Sequence, residues 1–399
     1  MRIGISSFAL GLLAGVLGLI CWGIGAPTAR AQVQLGGYFE HTLEVDYARE
    51  SKEQILDASK IRLDLSSSLK ESDISFRGNV NFIQYHSDVA YDLRGYLPDD
   101  VARDLEMGGV PTVIVIERSR IYVDNAFLNW EHTGLRFRAG KQQLSWGPGY
   151  SFNPTDLFHR KDIIDPTYEK EGVTAFRLDY RWGVGGDASL VVVPANDFHT
   201  TGVALRLATH LESAGYDIAV TAHRDSDTLS FDPMTIALRH QIRHALGLEC
   251  SGSLLGLGTW LEGNYNVMPE EDNFVRVVGG LDYTFASGLY VFSEALLNTR
   301  GDNTVPYTVA DWLANVFYGE PLGSGWAVLG ARKDVTWRTT AEGYVFVSPD
   351  GSLLINPRLT ISMSQNAEAT IIGAFTTGRS GGAFSPGLYS ILARARLYF

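Results

Sequence analysis

Short segments in which apolar and polar residues alternate recur along most of this chain, and they constrain its fold more than any other feature. Within residues 61–70 (IRLDLSSSLK), isoleucine and leucine alternate with arginine, aspartate and serine. A period of two places successive side chains on opposite faces of a β-strand. Segments of about ten residues with this alternation, separated by turns, are typical of a membrane β-barrel. The pattern therefore predicts an all-β chain.

The polar positions of these segments indicate which surface they form. Arginine recurs on the polar face together with aspartate, asparagine or serine, as in 74–82 (ISFRGNVNF) and 176–182 (FRLDYRW). In a soluble sandwich the polar face meets solvent, whereas in a membrane barrel it lines a wet interior. We predict a transmembrane antiparallel up-and-down β-barrel of about 18 strands, with about 16 strands as the alternative count.

Three long connections interrupt the alternating segments, and their positions agree with the strand count. They are 87–116, 147–171 and 299–324, after the third, fifth and thirteenth predicted strands. If the N-terminus lies in the periplasm, odd-numbered connections are external, and external connections are the long ones. Short connections such as 286–288 have even numbers. We therefore expect the three long connections to be external loops.

The first 31 residues have the features of an export signal. Arg2 precedes an apolar stretch over 3–26, and residues 29–31 (ARA) satisfy the small-x-small cleavage rule. Residues 1–31 are therefore predicted to be a cleaved signal peptide. Residues 32–399 are predicted to form one barrel domain in the outer membrane of a Gram-negative bacterium. The apolar stretch is also long enough to stay as an uncleaved anchor.

Charge and residue usage exclude several classes of function. The chain carries a net charge of -12, and an acidic chain is a poor binder of nucleic acid, so no such partner is expected. Cys250 is the only cysteine outside the predicted signal, which argues against a disulfide framework. The nine histidines show no metal-ligand spacing, and no serine nucleophile elbow is present. We expect no metal, no cofactor and no enzymatic activity.

The last eleven residues, Tyr389–Phe399 (YSILARARLYF), form a further alternating segment. Apolar and aromatic residues share one face, which ends at Phe399, and Arg394 and Arg396 lie on the other. A terminal aromatic on the apolar face resembles the closing strand of bacterial outer-membrane β-barrels. The resemblance implies that outer-membrane lipid surrounds this strand and that the barrel assembly machinery recognises it.

A more specific pattern lies in residues 140–158 (GKQQLSWGPGYSFNPTDLF). A strand that ends in G-K/R-Q-x-x-x-W/Y-G and leads to an N-P-x-D element resembles the alginate-export-type and related porin-like outer-membrane barrels. The resemblance implies the fold of a porin-like barrel.

The same segment predicts a change in strand parity. A glycine bulge at Gly140 would direct Lys141 into the lumen. The strand would continue to Trp146, with Leu144 and Trp146 against lipid. Residues 153–156 (NPTD) have the features of a helix start, with asparagine as the cap and proline at the first position.

Basic residues on the polar faces are the candidate pore-lining residues. Fixed charges along a pore set its ion preference. The alternative is that arginine–aspartate pairs only hold the wall together. The candidates are Arg62, Arg77, Arg136, Arg138, Lys141, Arg177, Arg206, Arg276, Arg358, Arg394 and Arg396.

The loop at 147–171 contains the candidate constriction residues. In porins the third external loop commonly folds into the barrel and narrows the pore, and this loop is the third external one by the parity above. A solvated extracellular lid is the alternative. The candidates are Asp156, Arg160, Lys161, Asp162 and Asp165.

Together these features predict a porin-like channel through which small hydrophilic solutes diffuse passively, with a preference for anions. One alternative is a specific channel for export or uptake of a polysaccharide or oligosaccharide, which needs a continuous charged or aromatic track. Another is a plugged barrel that serves as an enzyme or scaffold. The oligomeric state, monomer or trimer, is left open by the sequence.

Overall fold

The structure is a computed structural model that describes most of the wall and parts of the loops. The described residues are 31–48, 53–69, 73–87, 90–107, 111–158, 171–183, 185–195, 200–232, 237–269, 271–309, 311–312, 315, 321–384 and 387–399. Only Ala31 of the predicted signal peptide is among them, so that prediction lies outside the described residues.

The described residues form β-strands that mostly follow one another directly along the chain. The strands are β1 (Ala31–Ala48), β2 (Gln54–Leu69), β3 (Ile74–Tyr85), β4 (Ala90–Asp92), β5 (Val113–Val115), β6 (Ser119–Tyr122), β7 (Ala126–His132), β8 (Leu135–Gln142), β9 (Val173–Trp182), β10 (Gly186–Val193), β11 (Gly202–Leu211), β12 (Tyr216–Asp232), β13 (Ala237–Leu254), β14 (Leu257–Val267), β15 (Phe274–Thr284), β16 (Tyr290–Asn298), β17 (Gly325–Thr336), β18 (Thr339–Val347), β19 (Leu353–Ser364), β20 (Ala367–Thr377) and β21 (Leu388–Tyr398).

These strands close into one antiparallel barrel. Successive strands pair with each other, and β21 returns to pair with β1, where Arg396 lies opposite Glu40. Strands β6 and β7 both pair with β3 and form one interrupted strand of the wall. Strands β4 and β5 form a separate hairpin. The wall therefore has 18 strands, which confirms the predicted count and rejects the alternative of 16.

The barrel has two unlike ends. Strand β1 begins and β21 ends at the same end, which we call the terminal end. Two-residue hairpins close strand pairs there, at Thr133-Gly134 (φ 44° and 82°) and Leu255-Gly256 (φ 55° and 83°). Positive φ at both positions is what a type I′ turn requires. The opposite end, the loop end, carries the long connections at 86–118, 143–172 and 299–324.

The two faces of the wall differ in polarity, as the alternation predicts. On β21, Ile391 and Leu397 point outward and are each 52% exposed, whereas Ser390 and Leu392 are buried on the inner face. Leu35 on β1 also points outward and is 73% exposed. Apolar residues cover the outside of strand after strand, and a surface of this kind is stable against lipid hydrocarbon. The chain is therefore a transmembrane β-barrel.

The connection between β3 and β6 contains local structure of its own. A 3₁₀ turn spans Leu93–Tyr96, and helix α1 spans Asp99–Met107. Helix α1 is amphipathic, and it buries Val101, Ala102 and Leu105. In the part of the chain that the structure describes, no helix is long and apolar enough to span a bilayer.

Candidate functional site

Ten of the eleven candidate pore-lining residues lie on the inner face of the wall. Residues that pair directly across neighbouring strands share a face, and Arg62 pairs with Asn81, which is fully buried inside the barrel. Many of the arginines contact a carboxylate. These contacts join Arg62 to Asp64 (2.8 Å), Arg136 to Glu131 (3.0 Å), Arg177 to Asp179 (2.7 Å), Arg206 to Glu249 (2.9 Å), Arg358 to Glu342 (3.7 Å), Arg394 to Glu40 (3.8 Å) and Arg396 to Glu40 (2.5 Å).

One cluster of these ion pairs lies at the seam between β1 and β21. The Glu40 carboxylate is buried and accepts two hydrogen bonds from Arg396, from Nη2 at 2.5 Å and from Nε at 2.9 Å. Arg394 approaches the same carboxylate, and Arg396 also lies 3.5 Å from Glu368 on β20. A buried charge is stable only when it is paired and hydrogen-bonded. These contacts therefore link β20, β21 and β1 on the inside of the barrel.

Three candidate arginines share a basin at the terminal end of the lumen. This cavity, of about 290 Å³, is lined by Arg77, Arg136 and Arg138, with serine and amide side chains around them. Arg136 donates two hydrogen bonds of 3.0 Å to Glu131, and Arg138 donates one of 3.2 Å to Asn129. Glu131 is the one carboxylate among the described residues that line the basin. The local charge of the basin is therefore positive.

Lys141 is the candidate that does not face the lumen. Pairing of β8 with β7 and with β9 continues through Gly140 without a shift in register, so the predicted bulge is not formed. Lys141 therefore shares the outer face with Ala126 and Thr174, and it contacts Glu171 at 2.5 Å at the loop end. The prediction that Lys141 lines the pore is wrong. Gly140 has a φ of 126°, which glycine adopts without strain, and the strand contains no extra residue there.

The predicted lipid-facing positions of Leu144 and Trp146 are also wrong. Strand β8 ends at Gln142, and the chain then enters the barrel. Both side chains are buried there, and the Trp146 ring packs edge-on against Phe158 and His223, at centroid distances of 5.3 and 5.0 Å. Both residues follow the end of β8, so the entry of the chain into the lumen, and not strand parity, places them inside.

Residues 147–156, which we call the crossing loop, extend from β8 across the lumen to β14 and β16. These strands are the sixth and eighth after β8 in the circular order of the wall. The carboxylate of Glu294 on β16 accepts hydrogen bonds from the backbone N–H groups of 150–152, at 2.6 to 2.8 Å. The indole N–H of Trp260 donates to it at 2.8 Å. Four donors offset the cost of burying this carboxylate, which is 1% exposed.

Glu262 on β14 holds the crossing loop at a second point. One carboxylate oxygen accepts from the backbone N–H of Gly149 at 2.9 Å. The other accepts from the N–H and the hydroxyl of Thr155, at 3.0 and 3.1 Å. The loop is so tight that a Cβ at Gly149 would lie 1.9 Å from the carbonyl oxygen of Phe152. Glycine is therefore required at this position.

The NPTD stretch that the sequence predicted to start a helix forms a turn instead. The Asn153 side chain donates to the carbonyl oxygens of Trp146 and Gly147, both at 3.1 Å, so it closes the loop and does not cap a helix. Asp156, a candidate constriction residue, is buried and accepts a 3.3 Å hydrogen bond from Ser145. The other candidates, Arg160, Lys161, Asp162 and Asp165, lie outside the described residues.

The wall that receives the crossing loop is apolar on its inner face. Phe292 on β16, Val328 on β17 and Phe346 on β18 are all buried there. The Tyr150 ring lies 4.2 Å from the Phe292 ring, and Phe152 meets Phe346 edge-on at 6.3 Å. The apolar residues of the crossing loop therefore pack on this wall, while its backbone binds the two glutamates.

Two other connections pack on the same apolar wall. Val101 and Leu105 of α1 belong to the cluster, as do Tyr307 and Trp312 of the connection between β16 and β17. Loops therefore cover the inner wall from β15 to β20. Most of the inner-face arginines lie on the remaining part of the wall, from β21 through β1 to β11.

A segment at the loop end, 379–384, is held by Asp350 in the turn between β18 and β19. The carboxylate accepts hydrogen bonds from the backbone N–H groups of Ala383 and Ser352, both at 2.7 Å. Burial raises the pKa of Asp350, but the hydrogen bonds outweigh it and hold the pKa below the usual value for an aspartate. Asp350 is therefore ionised at neutral pH.

Sequence reasoning missed several inner-face residues that organise the lumen, among them Glu294 and Arg243. Glu294 lies in a strand, YVFSEALLN, that is apolar on both faces, so alternation does not reveal which face points inward. Arg243 on β13 contacts Asp225 at 2.8 Å. The sequence could have placed Arg243 on the same face as Glu249, because the two residues lie an even number of positions apart on one strand.

No protein-family model and no curated protein matches this chain. Solved structures of the same fold include OccAB1 of Acinetobacter baumannii, 9% identical over 94% of this chain and 99% of that chain, with a TM-score of 0.59. OccK9 (OpdG) of Pseudomonas aeruginosa is 10% identical over 92% and 99%, with a TM-score of 0.59. The outer membrane protein opdK of the same species is 8% identical over 92% and 98%, at 0.57. These neighbours are Gram-negative outer-membrane β-barrel porins, and at such identities the likeness establishes a shared fold.

Proposed function

We propose that this chain is a porin-like outer-membrane channel for passive diffusion of small hydrophilic solutes, narrowed by the crossing loop. The supporting observation is the division of the lumen into two sides. Loops cover the apolar wall, whereas the arginine-bearing wall contains the basin, in which Arg77 is exposed. An 18-strand barrel is wide enough to keep an aqueous passage when part of its lumen is filled.

Anion preference is the finer part of the proposal. Carboxylates neutralise many of the inner arginines, so we assign the preference to the basin at the terminal end. Arg77, Arg136 and Arg138 face one glutamate there. Fixed positive charge at a pore mouth raises the local concentration of anions. Salt screens this effect, so the preference should weaken as ionic strength rises.

Recordings in planar bilayers test the proposal. The purified protein should produce stepwise conductance, and in a KCl gradient the reversal potential should move toward the chloride equilibrium potential. Absence of conductance would overturn the channel. Conductance with cation preference would overturn the anion preference and leave the channel in place.

A plugged barrel is the second candidate, and the apolar cluster inside the lumen favours it. Residues from α1, the crossing loop and the β16–β17 connection all contribute buried side chains to that cluster. Liposome swelling separates the two candidates, because an open passage admits small sugars and a plugged barrel does not.

A specific saccharide channel, including the alginate-export type, is a third candidate. It is supported by an aromatic and cationic group inside the seam. The Arg396 guanidinium lies 4.5 Å from the Tyr38 ring centroid, and Tyr38 meets Tyr398 edge-on at 5.9 Å. Tyr398 is the exposed ring of this group, at 38%, and an arginine beside an exposed aromatic ring suits acidic sugars. Block of the conductance by an acidic oligosaccharide, but not by a neutral one of equal length, would favour this candidate.

We further propose that the chain is exported with cleavage after Ala31, and that residues 32–399 form one outer-membrane domain. Cleavage there would remove the first residue of β1 (Ala31–Ala48) and leave the rest of the strand in the mature chain. We also propose recognition of β21 by the barrel assembly machinery, through its terminal Phe399. N-terminal sequencing of the protein from membranes tests the cleavage. Loss of membrane insertion in Phe399→Asp tests the recognition.

A further inference from the structure

A patch of polar side chains lies on the outer, lipid-facing side of the wall formed by β1, β2 and β3. Register places His41 on β1 opposite Ser59 on β2, and Ser59 opposite Gln84 on β3, all on the outer face. Polar and ionisable groups in a lipid-facing band are costly, so they mark functional sites. The patch comprises His41, Asp57, Ser59, Gln84 and His86.

The contacts within the patch have the order of a nucleophile, a base and a carboxylate. The Ser59 hydroxyl oxygen lies 3.1 Å from His41 Nδ1 and 2.9 Å from His86 Nε2. On the far side of the His41 ring, Nε2 lies 3.6 Å from Asp57 Oδ1. A serine in contact with a base that is itself oriented by a carboxylate is the arrangement used for acyl transfer.

One set of tautomers gives every contact a consistent direction. If the Ser59 hydroxyl donates to His41 Nδ1, the His41 ring carries its proton on Nε2, which faces Asp57. His86 with its proton on Nε2 then donates to the Ser59 oxygen. His41 is therefore free to accept the serine proton, and His86 is the donor nearest to an oxyanion that forms beside Ser59.

The patch is open to the membrane. The side chains of His41 and Asp57 are 46% and 34% exposed, although Asp57 Oδ1 itself is buried and makes no hydrogen bond to a described residue. Phe39, Leu43 and Ile61 are exposed on the same outer face and flank the patch along β1 and β2. A substrate that reaches this face must partition into lipid, and the flanking side chains suit an acyl chain.

We propose that Ser59, His41 and Asp57 form a lipid-facing acyl hydrolase site whose substrate is the ester of a membrane glycerolipid. This activity goes beyond the proposed channel and does not depend on it, because the channel occupies the opposite face of the wall.

The reaction balances with water as the only co-reactant. Ser59 Oγ attacks the ester carbonyl carbon while His41 accepts the hydroxyl proton, and the oxyanion collapses with loss of the lysolipid alcohol, which takes that proton. Water then attacks the acyl–serine ester with His41 as base. This step releases a fatty acid and restores Ser59. Asp57 orients the His41 ring and stabilises it when it is protonated.

A fluorophosphonate probe and a hydrolysis assay test the site on the folded, full-length protein in mixed micelles of detergent and phosphatidylethanolamine. We expect release of fatty acid and a probe adduct that mass spectrometry places on Ser59. Ser59→Ala should abolish the adduct and lower hydrolysis by at least roughly 100-fold. Ser293→Ala is the matched control, because Ser293 is an exposed outer-face serine on β16.

His41→Gln should lose hydrolysis as Ser59→Ala does. Both variants should keep the heat-dependent gel migration of a folded barrel and the conductance of the unaltered protein. Hydrolysis that persists in Ser59→Ala would overturn the proposal. An adduct on Ser59 without release of fatty acid would overturn the glycerolipid substrate, and a second copy of the chain cross-linked over Ser59 would replace the site with a contact between protomers.

Discussion

Ser151 donates its backbone N–H to the Glu294 carboxylate at 2.8 Å, although the two residues lie 143 positions apart in the chain. The same carboxylate receives the N–H groups of the residues on either side of Ser151. Glu262 binds the loop again at Gly149 and Thr155. The position of the crossing loop therefore depends on two wall carboxylates, and so does the width of any passage beside it.

Glu294→Gln should release the middle of the crossing loop. An amide offers one acceptor oxygen and adds two donors that face the loop N–H groups, so buried donors lose their partner at a cost of about 1–3 kcal/mol in the free energy of unfolding. We expect larger and noisier conductance in planar bilayers. Glu368→Gln is the control, because Glu368 contacts Arg396 and Tyr398 at the seam and not the loop. Equal conductance in both variants would contradict the prediction.

Gly149→Ala should displace the crossing loop without any change in charge. Its Cβ would lie 1.9 Å from a backbone oxygen and 3.2 Å from Glu262, so the loop and the glutamate must move apart. We expect conductance to rise, and the exchange of amide hydrogens in 149–155 to accelerate. Gly343→Ala is the matched control, since a Cβ there meets no atom within 4 Å.

Replacing Arg77 and Arg138 by glutamine should reduce or reverse the anion preference of the proposed channel. The variant leaves Arg136 and its hydrogen bonds with Glu131 in place, so the wall keeps that cross-link. The reversal potential in a KCl gradient should move toward the potassium equilibrium potential, most clearly at low salt. Arg338→Gln, in a turn outside the lumen, should leave the reversal potential unchanged. If the double variant kept the original reversal potential, the basin would not be the cause of the anion preference.

Acid should release the segment 379–384 from the loop end. The folded state lowers the pKa of Asp350, so its stabilising effect is present at neutral pH and is lost as pH falls through that lowered value, below about pH 4. We expect hydrogen exchange in 379–384, normalised to intrinsic rates, to accelerate in that range. At pH 7, Asp350→Asn should make the exposed bond after Arg379 sensitive to trypsin, whereas Asp334→Asn at the other end of the barrel should not.

The barrel and the inward direction of most arginines could be predicted from the period of two. Once one residue of a strand is assigned to the inner or the outer face, the alternation assigns all the others. Arg394 and Arg396 illustrate this, since Phe399 on the opposite face identified the lipid side. The same rule explains the error at Lys141. An assumed bulge at Gly140 reversed the assignment of the next residues of the same strand, whereas the register continues unbroken through Gly140.

The crossing loop could be predicted only in part. Its place as the third connection at the loop end was visible, but its binding partners were not, because Glu294 lies between Phe292 and Leu296 in a strand with apolar residues on both faces. The outer face meets lipid and the inner face meets other loops, so both are apolar for different reasons. Only the fold brings these loops to that wall.

The pairing of β1 with β21 also has a consequence for assembly. Glu40 and Arg396 meet across the seam although they are 356 positions apart, and contacts at such separations cost the most chain entropy to form. Until they form, the first and last strands each expose a row of unpaired N–H and C=O groups, which hydrocarbon does not tolerate. Closure of the seam therefore removes the two unpaired strand edges from contact with hydrocarbon, and the arginine–glutamate contacts on its inner side oppose its reopening.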